Sequence, residues 1–92
     1  MKDLINKSAA ERGQVRDNNE TYKTLRSMSD SIANDMAQMM CGGVIGGDMT
    51  GTQVIEAVKE QAGIEMSRQD LKEIVAGSTF WANEVLLKNI EK

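Results

Sequence analysis

Arg12, Arg16, Asn19, Lys23 and Arg26 recur at alternating spacings of four and three residues. At about 100° per residue they fall within roughly 80° of one another on a helix. Spread over about 21 Å at 1.5 Å of rise per residue, they would form a stripe of guanidinium, amide and ammonium donors. Planar arginine forks match phosphate and carboxylate oxygens, so the chemistry this pattern offers is anion binding. The competing reading is an ordinary solvated face, because the side of a helix turned from a core is normally charged. Asp30 falls on the same stripe.

The stretch Met39 to Gln53, MMCGGVIGGDMTGTQ, sets the single cysteine beside four glycines in six residues. Gly42 and Gly47 have the separation of a phosphate loop, but Asp48 stands where that loop needs lysine and would repel phosphate. Asp48, Thr50 and Thr52 do not make a calcium loop, because Lys59 occupies the position of the bidentate glutamate. The chain contains no histidine, which removes imidazole-activated nucleophiles and histidine-containing zinc sites. Cys41 ends a helical pattern, where the negative end of the helix dipole disfavours a thiolate. It reads as a small half-buried residue before a turn. No catalytic residue, metal site or cofactor is expected, and the chain is not expected to be an enzyme.

At 92 residues the chain is a single domain, 1–92, with a modest core and seven methionines as pliable filler. A core of that size favours a homo-oligomer. The formal charge is −3 and the pI about 4.9, so the totals call for neither nucleic acid nor an acidic membrane surface. Residues 1–30 nevertheless carry six basic side chains against one in residues 31–66, which puts any anion-binding surface near the N-terminus. No apolar run reaches the roughly 20 residues of a membrane span. A single cysteine fits a reducing compartment, and the expectation is a cytoplasmic protein with no membrane partner.

These features must be positioned by helices, because apolar residues recur at three and four, no strand-like alternation is visible and proline is absent. The class is all-α, a small helical bundle or a hairpin of two longer helices plus a short helix after a glycine-rich hinge. Val15, Tyr22, Leu25, Ile32, Met36 and Met39 trace one face of a helix over 14–40, read as continuous although Ser27 and Asp30 have capping-box spacing. A hinge follows over 42–51, with Gly43 and Gly46 as its left-handed positions and Val44 and Ile45 plugging it onto the core. Thr50 and Gln53 start a short helix over 52–62 that Gly63 ends. Ser67 and Asp70 start a last helix over 67–90, in which Gly77 is either a close-packing point or a kink. The helices 14–40 and 67–90 would pack antiparallel.

Met36, Met39, Met40, Phe80 and Trp81 are the candidate interface. Flexible thioethers suit adaptable helix-binding surfaces. Adjacent Phe80 and Trp81 point about 100° apart on a helix, so one would face a second surface. A helix-turn-helix over 54–77, with Arg68 and Gln69 reading bases, is disfavoured by its long connection and by the acidic domain. The leading expectation is a self-associating interaction protein that binds a protein partner as regulator, inhibitor or assembly factor. The alternative is an oligomeric binder of an anionic ligand, a nucleotide signal or nucleic acid, through Arg12, Arg16, Asn19, Lys23 and Arg26.

Overall fold

The computed structural model describes residues 2–44, 46–79 and 82–92, with the side chains of all of these save Lys2, Asp3 and Cys41. Among the described residues there are seven α-helices and no strand. They are α1 (Lys2–Asn6), α2 (Ala9–Asn18), α3 (Glu20–Arg26), α4 (Asp30–Ala37), α5 (Gly51–Ala62), α6 (Arg68–Gly77) and α7 (Glu84–Glu91). α4 runs on into a π-helical turn, Gln38–Val44.

Side-chain caps start most of these helices by satisfying first-turn N–H groups that have no intrahelical acceptor. Ser8 and Glu11, Thr50 and Gln53, and Ser67 and Asp70 each form a reciprocal capping box. Asn19 and Asn83 cap α3 and α7 by accepting from Tyr22 N–H and Leu86 N–H. The Ser8 box carries the helical start back from residue 14 to Ala9, with Gly13 inside α2.

The continuous helix expected over 14–40 is divided. Asn19 takes extended dihedrals and serves as both the end of α2 and the cap of α3. A second break at Ser27–Ser29 precedes α4, which starts at Asp30 behind Ser29 and not through a Ser27 box. From Leu25 onward the stripe reaches the core, through Leu25 of α3, Met36 of α4 and Met40 of the π-helical turn, whereas the buried residue of α2 is Arg12 and Val15 is not part of the core. Asn and Ser side chains compete with the helix for its own backbone groups, and the periodicity does not register this. The span 67–90 is likewise two helices. Ser78 closes α6, its hydroxyl donating to Ile74 C=O at 2.8 Å, and α7 restarts behind Asn83.

The glycine stretch is held at both ends. Met49 N–H donates to Gly43 C=O at 3.0 Å, and the Asn89 amide donates to Val44 C=O at 2.9 Å and Met49 C=O at 3.2 Å. Positive φ falls at Gly47 (82°) and Gly63 (70°), not at Gly43 or Gly46. Ile45, expected to plug the turn, lies outside the described residues.

Two close backbone approaches organise the packing. At Gly77, α2 and α6 come so near that a Cβ would stand 2.4 Å from Arg16 Cβ and 2.7 Å from Arg12 O. Arg12 meets Ala76 while Asn19 meets Asp70 and Glu73, so the two helices run antiparallel. At Gly51, the start of α5 abuts the end of α7, and a Cβ would stand 1.8 Å from Ile90 O. There the positive end of one helix dipole faces the negative end of another. Arg68 Nη1 donates to Ile90 C=O at 2.8 Å, and Thr52 Oγ1 donates to Lys92 C=O at 2.7 Å. Buried Lys72, in α6, pairs with Glu91 of α7. Between these contacts Val54, Val58, Leu71, Val75 and Ile90 are sealed from solvent.

Two alanine substitutions should therefore move stability in opposite directions. Gly51→Ala forces side chain into backbone and should cost about 1–3 kcal/mol. Gly13→Ala, in the interior of α2 with nothing within 4 Å of the new Cβ, should gain about 0.5–1 kcal/mol. Urea midpoints of the two variants falling on opposite sides of wild type is the expected result.

Candidate functional site

The approach at Gly77 brings two arginines of α2 over carbonyls at the end of α6 that have no intrahelical donor. Arg12 is 4% exposed. Its Nε donates to Ala76 C=O at 3.1 Å and its Nη1 to Lys7 C=O at 2.7 Å. Arg16 Nη1 donates to Gly77 C=O at 3.2 Å and to Ser78 Oγ at 3.5 Å. The last turn of α6 has no basic residue of its own, so both arginines supply from α2 the positive charge a helix C-terminus favours. Arg12 Nη2 is buried without a hydrogen-bond partner, a cost the other bonds must offset.

At the far end of α2, Asn19 locks the corner to α6. Its Nδ2 donates to Asp70 Oδ1 at 3.0 Å and to Glu73 Oε1 at 2.9 Å, and Thr21 Oγ1 donates to Asp70 Oδ2 at 3.1 Å. Partial burial pushes the Asp70 carboxyl upward, but hydrogen bonds from Asn19, Ser67 and Thr21 outweigh it and hold the pKa below its ordinary value.

With α2 and the α2–α3 corner fixed in this way, α3 presents Tyr22 between two guanidiniums. Arg16 Cζ lies 5.1 Å from the ring centroid and Arg26 Cζ 5.8 Å, both within the range of cation–π attraction. Arg26 Nη1 also donates to Tyr22 Oη at 3.2 Å. Tyr22 lines a cavity of about 470 Å³ whose most buried lining, here its floor, is Leu25, Met36, Met40 and Ile74. Arg16, Tyr22, Arg26, Asn34, Ser78 and Asp30 stand around it. A more open hollow of about 500 Å³ shares Arg16, Tyr22 and Arg26 and adds Asp17 and Lys23. The Arg16 guanidinium also bridges Asp17 at 3.1 Å, and Lys23 pairs with Glu20 at 3.5 Å.

Of the five residues of the expected stripe, Arg16, Lys23 and Arg26 gather around one ring. Arg12 and Asn19 do not, because α6 covers the face of α2 that a lone helix would leave to water. Tyr22 belonged to the apolar face in the sequence pattern, and its spacing of four to Arg26 was the one local signal for its role. Its contact with Arg16 crosses the break at Asn19 and has no such signal.

The expected interface residues also move. Met36 and Met40, 1% and 3% exposed, lie in the core and floor the cavity, and Met39 is half-buried against that core. The methionine seam thus loses two of its three members to packing within the chain. Phe80, Trp81 and the Cys41 side chain lie outside the described residues. Arg68, the candidate base reader, is committed to Ile90 C=O and Thr52 Oγ1.

Among the described residues no three His, Cys, Asp or Glu side chains cluster as metal ligands, and no helix is long and apolar enough to cross a membrane. No protein-family model, curated protein or solved structure matches the chain, so the reading of the site rests on its geometry.

Because the folded-state pKa of Asp70 is depressed, its contribution is fully present above the unfolded value near 3.8 and is lost as pH falls through the folded one. Asn19→Ala removes two donors to α6 and should cost about 1–3 kcal/mol at neutral pH. Its acid unfolding midpoint, followed by circular dichroism, should move to higher pH than that of wild type.

Proposed function

We propose that this chain is a small non-enzymatic binding protein whose site is the Tyr22 cleft and whose ligand is anionic. The observation that carries the reading is the pair of guanidiniums on one half-buried tyrosine that lines a cavity of about 470 Å³. That volume lies within the range of ligand pockets, and the site has their usual composition, an apolar floor with a few convergent polar groups. Of the two functions open to the sequence, the arrangement favours the anion binder over a protein-binding regulator, inhibitor or assembly factor. Two of the three methionines that would have made a partner surface, Met36 and Met40, are used inside the chain.

The two arginines differ as probes. Arg16 holds the end of α6, so reversing its charge would disturb the fold together with the site. Arg26 is exposed and, among the described residues, donates only to Tyr22 Oη, so its substitution reports on the cleft.

Anilinonaphthalene sulfonate, an apolar body with one negative charge, is the test ligand. Saturable enhancement of its fluorescence at one site per chain is expected. Arg26→Glu should weaken it by about tenfold or more, the equivalent of 1.4 kcal/mol, with an unchanged circular dichroism spectrum. Equal affinity for the variant would remove the cleft from the account.

A further inference from the structure

The charge arrangement around the cavity narrows the ligand class further, on the premise that the Tyr22 cleft is the binding site. Arg16 is spent. Its Nε and Nη2 donate to Asp17, and its Nη1 to Gly77 C=O and Ser78 Oγ. Arg26, by contrast, uses Nη1 alone, and among the described residues no carboxylate lies within ion-pair distance of it. The rim therefore offers one unclaimed guanidinium edge, the donor pair that fits a single carboxylate.

Further negative charge finds no partner there. Among the described residues no lysine lines the inner cavity, and Asp30 stands on its wall. A diphosphate or triphosphate would bring additional charges against that carboxylate and against Asp17 beside Arg16. The floor asks for the opposite chemistry. Leu25, Met36, Met40 and Ile74 are each at most 3% exposed, so the deepest lining of the cavity is apolar, and two of the four are flexible thioethers that can yield to an entering chain.

We infer that the cleft takes an amphipathic monoanion, an apolar chain ending in one carboxylate, with the carboxylate on Arg26 and the chain over Met36 and Met40. Selection follows from both ends. An alcohol of the same length lacks the charge for Arg26, and a nucleotide lacks the chain for the floor while carrying phosphate charge the rim does not match.

The test uses the full chain with methyl-labelled methionine, followed by NMR during titration with hexanoate, octanoate and decanoate, and separately with octan-1-ol, AMP and ATP. Octanoate should shift the Met36 and Met40 methyls and the Tyr22 ring signals saturably. Affinity should rise about fourfold for each added methylene that is buried. Octan-1-ol should bind at least tenfold more weakly, and Arg26→Gln should weaken octanoate by about tenfold while Lys88→Gln, on α7, leaves it unchanged.

AMP or ATP shifting the same signals in preference to octanoate would overturn the monocarboxylate assignment and leave the cleft as a site. Octan-1-ol binding as well as octanoate, or Arg26→Gln binding octanoate as wild type does, would overturn it too. Octanoate leaving those signals unmoved where anilinonaphthalene sulfonate still moves them would defeat the ligand class alone. If neither compound moves them, the cleft itself falls as a ligand site.

Discussion

The contact on which the rest of the molecule depends is the backbone approach of α2 to α6 at Gly77. A helix C-terminus leaves carbonyls without intrahelical donors, and α6 ends without a basic residue of its own. Because Gly77 has no Cβ, α2 comes close enough for Arg12 and Arg16 to reach those carbonyls. Arg12 is buried in doing so and leaves one nitrogen unpaired. Arg16 stays half-exposed, and the same guanidinium that caps α6 lies against Tyr22. The cleft is thus a by-product of how one helix end is satisfied.

A similar solution recurs at the other pole, where Gly51 lets α5 start against the end of α7 and Arg68 adds a cation to the carbonyl of Ile90. A chain of 92 residues buries a small fraction of its surface compared with larger domains. It compensates by joining short helices end to end and backbone to backbone, with polar side chains closing the junctions. Asn19 to Asp70 and Glu73, Lys72 to Glu91, and Asn89 to the glycine turn are such closures. This also explains the pinned glycine stretch, whose amide and carbonyl partners hold it in place.

Local signals in the sequence translated well into structure. The boxes at Thr50 and Ser67, and the stop at Gly63, are written in three or four adjacent residues, and the helices begin and end there. The Ser8 and Glu11 box is a signal of the same local kind, and α2 begins behind it. What did not translate was non-local. A periodic apolar stripe is equally consistent with one long helix and with short ones folded over a common core, so it carried no mark of the breaks at Asn19 and Ser27–Ser29. The charged stripe is divided by the fold for a related reason. Helical spacing identifies which residues share a face, but whether water or another helix covers that face is decided by residues sixty positions away. Arg12 and Asn19 are taken by α6, Arg16 both caps α6 and meets Tyr22, and Lys23 and Arg26 line the hollow beside that ring. At Gly77, where the sequence allows either a close-packing point or a kink, the backbone approach to Arg12 and Arg16 decides for close packing, and those neighbours lie too far away in the chain to leave a local signal.

The most direct measurement is a solution NMR experiment on the free protein that reads the α2–α6 junction. The account predicts strong cross-relaxation between the Gly77 α protons and the Arg16 β protons, with an Arg12 Nε–H signal that exchanges slowly with water and lies near Ala76. It also predicts a distinct Arg16 side-chain environment before any ligand is added. Arginine Nε–H signals that exchange rapidly and share one averaged shift, with no contact between Gly77 and Arg16, would contradict it. In that case neither the docking of the helices nor the preformed rim of the cleft would stand.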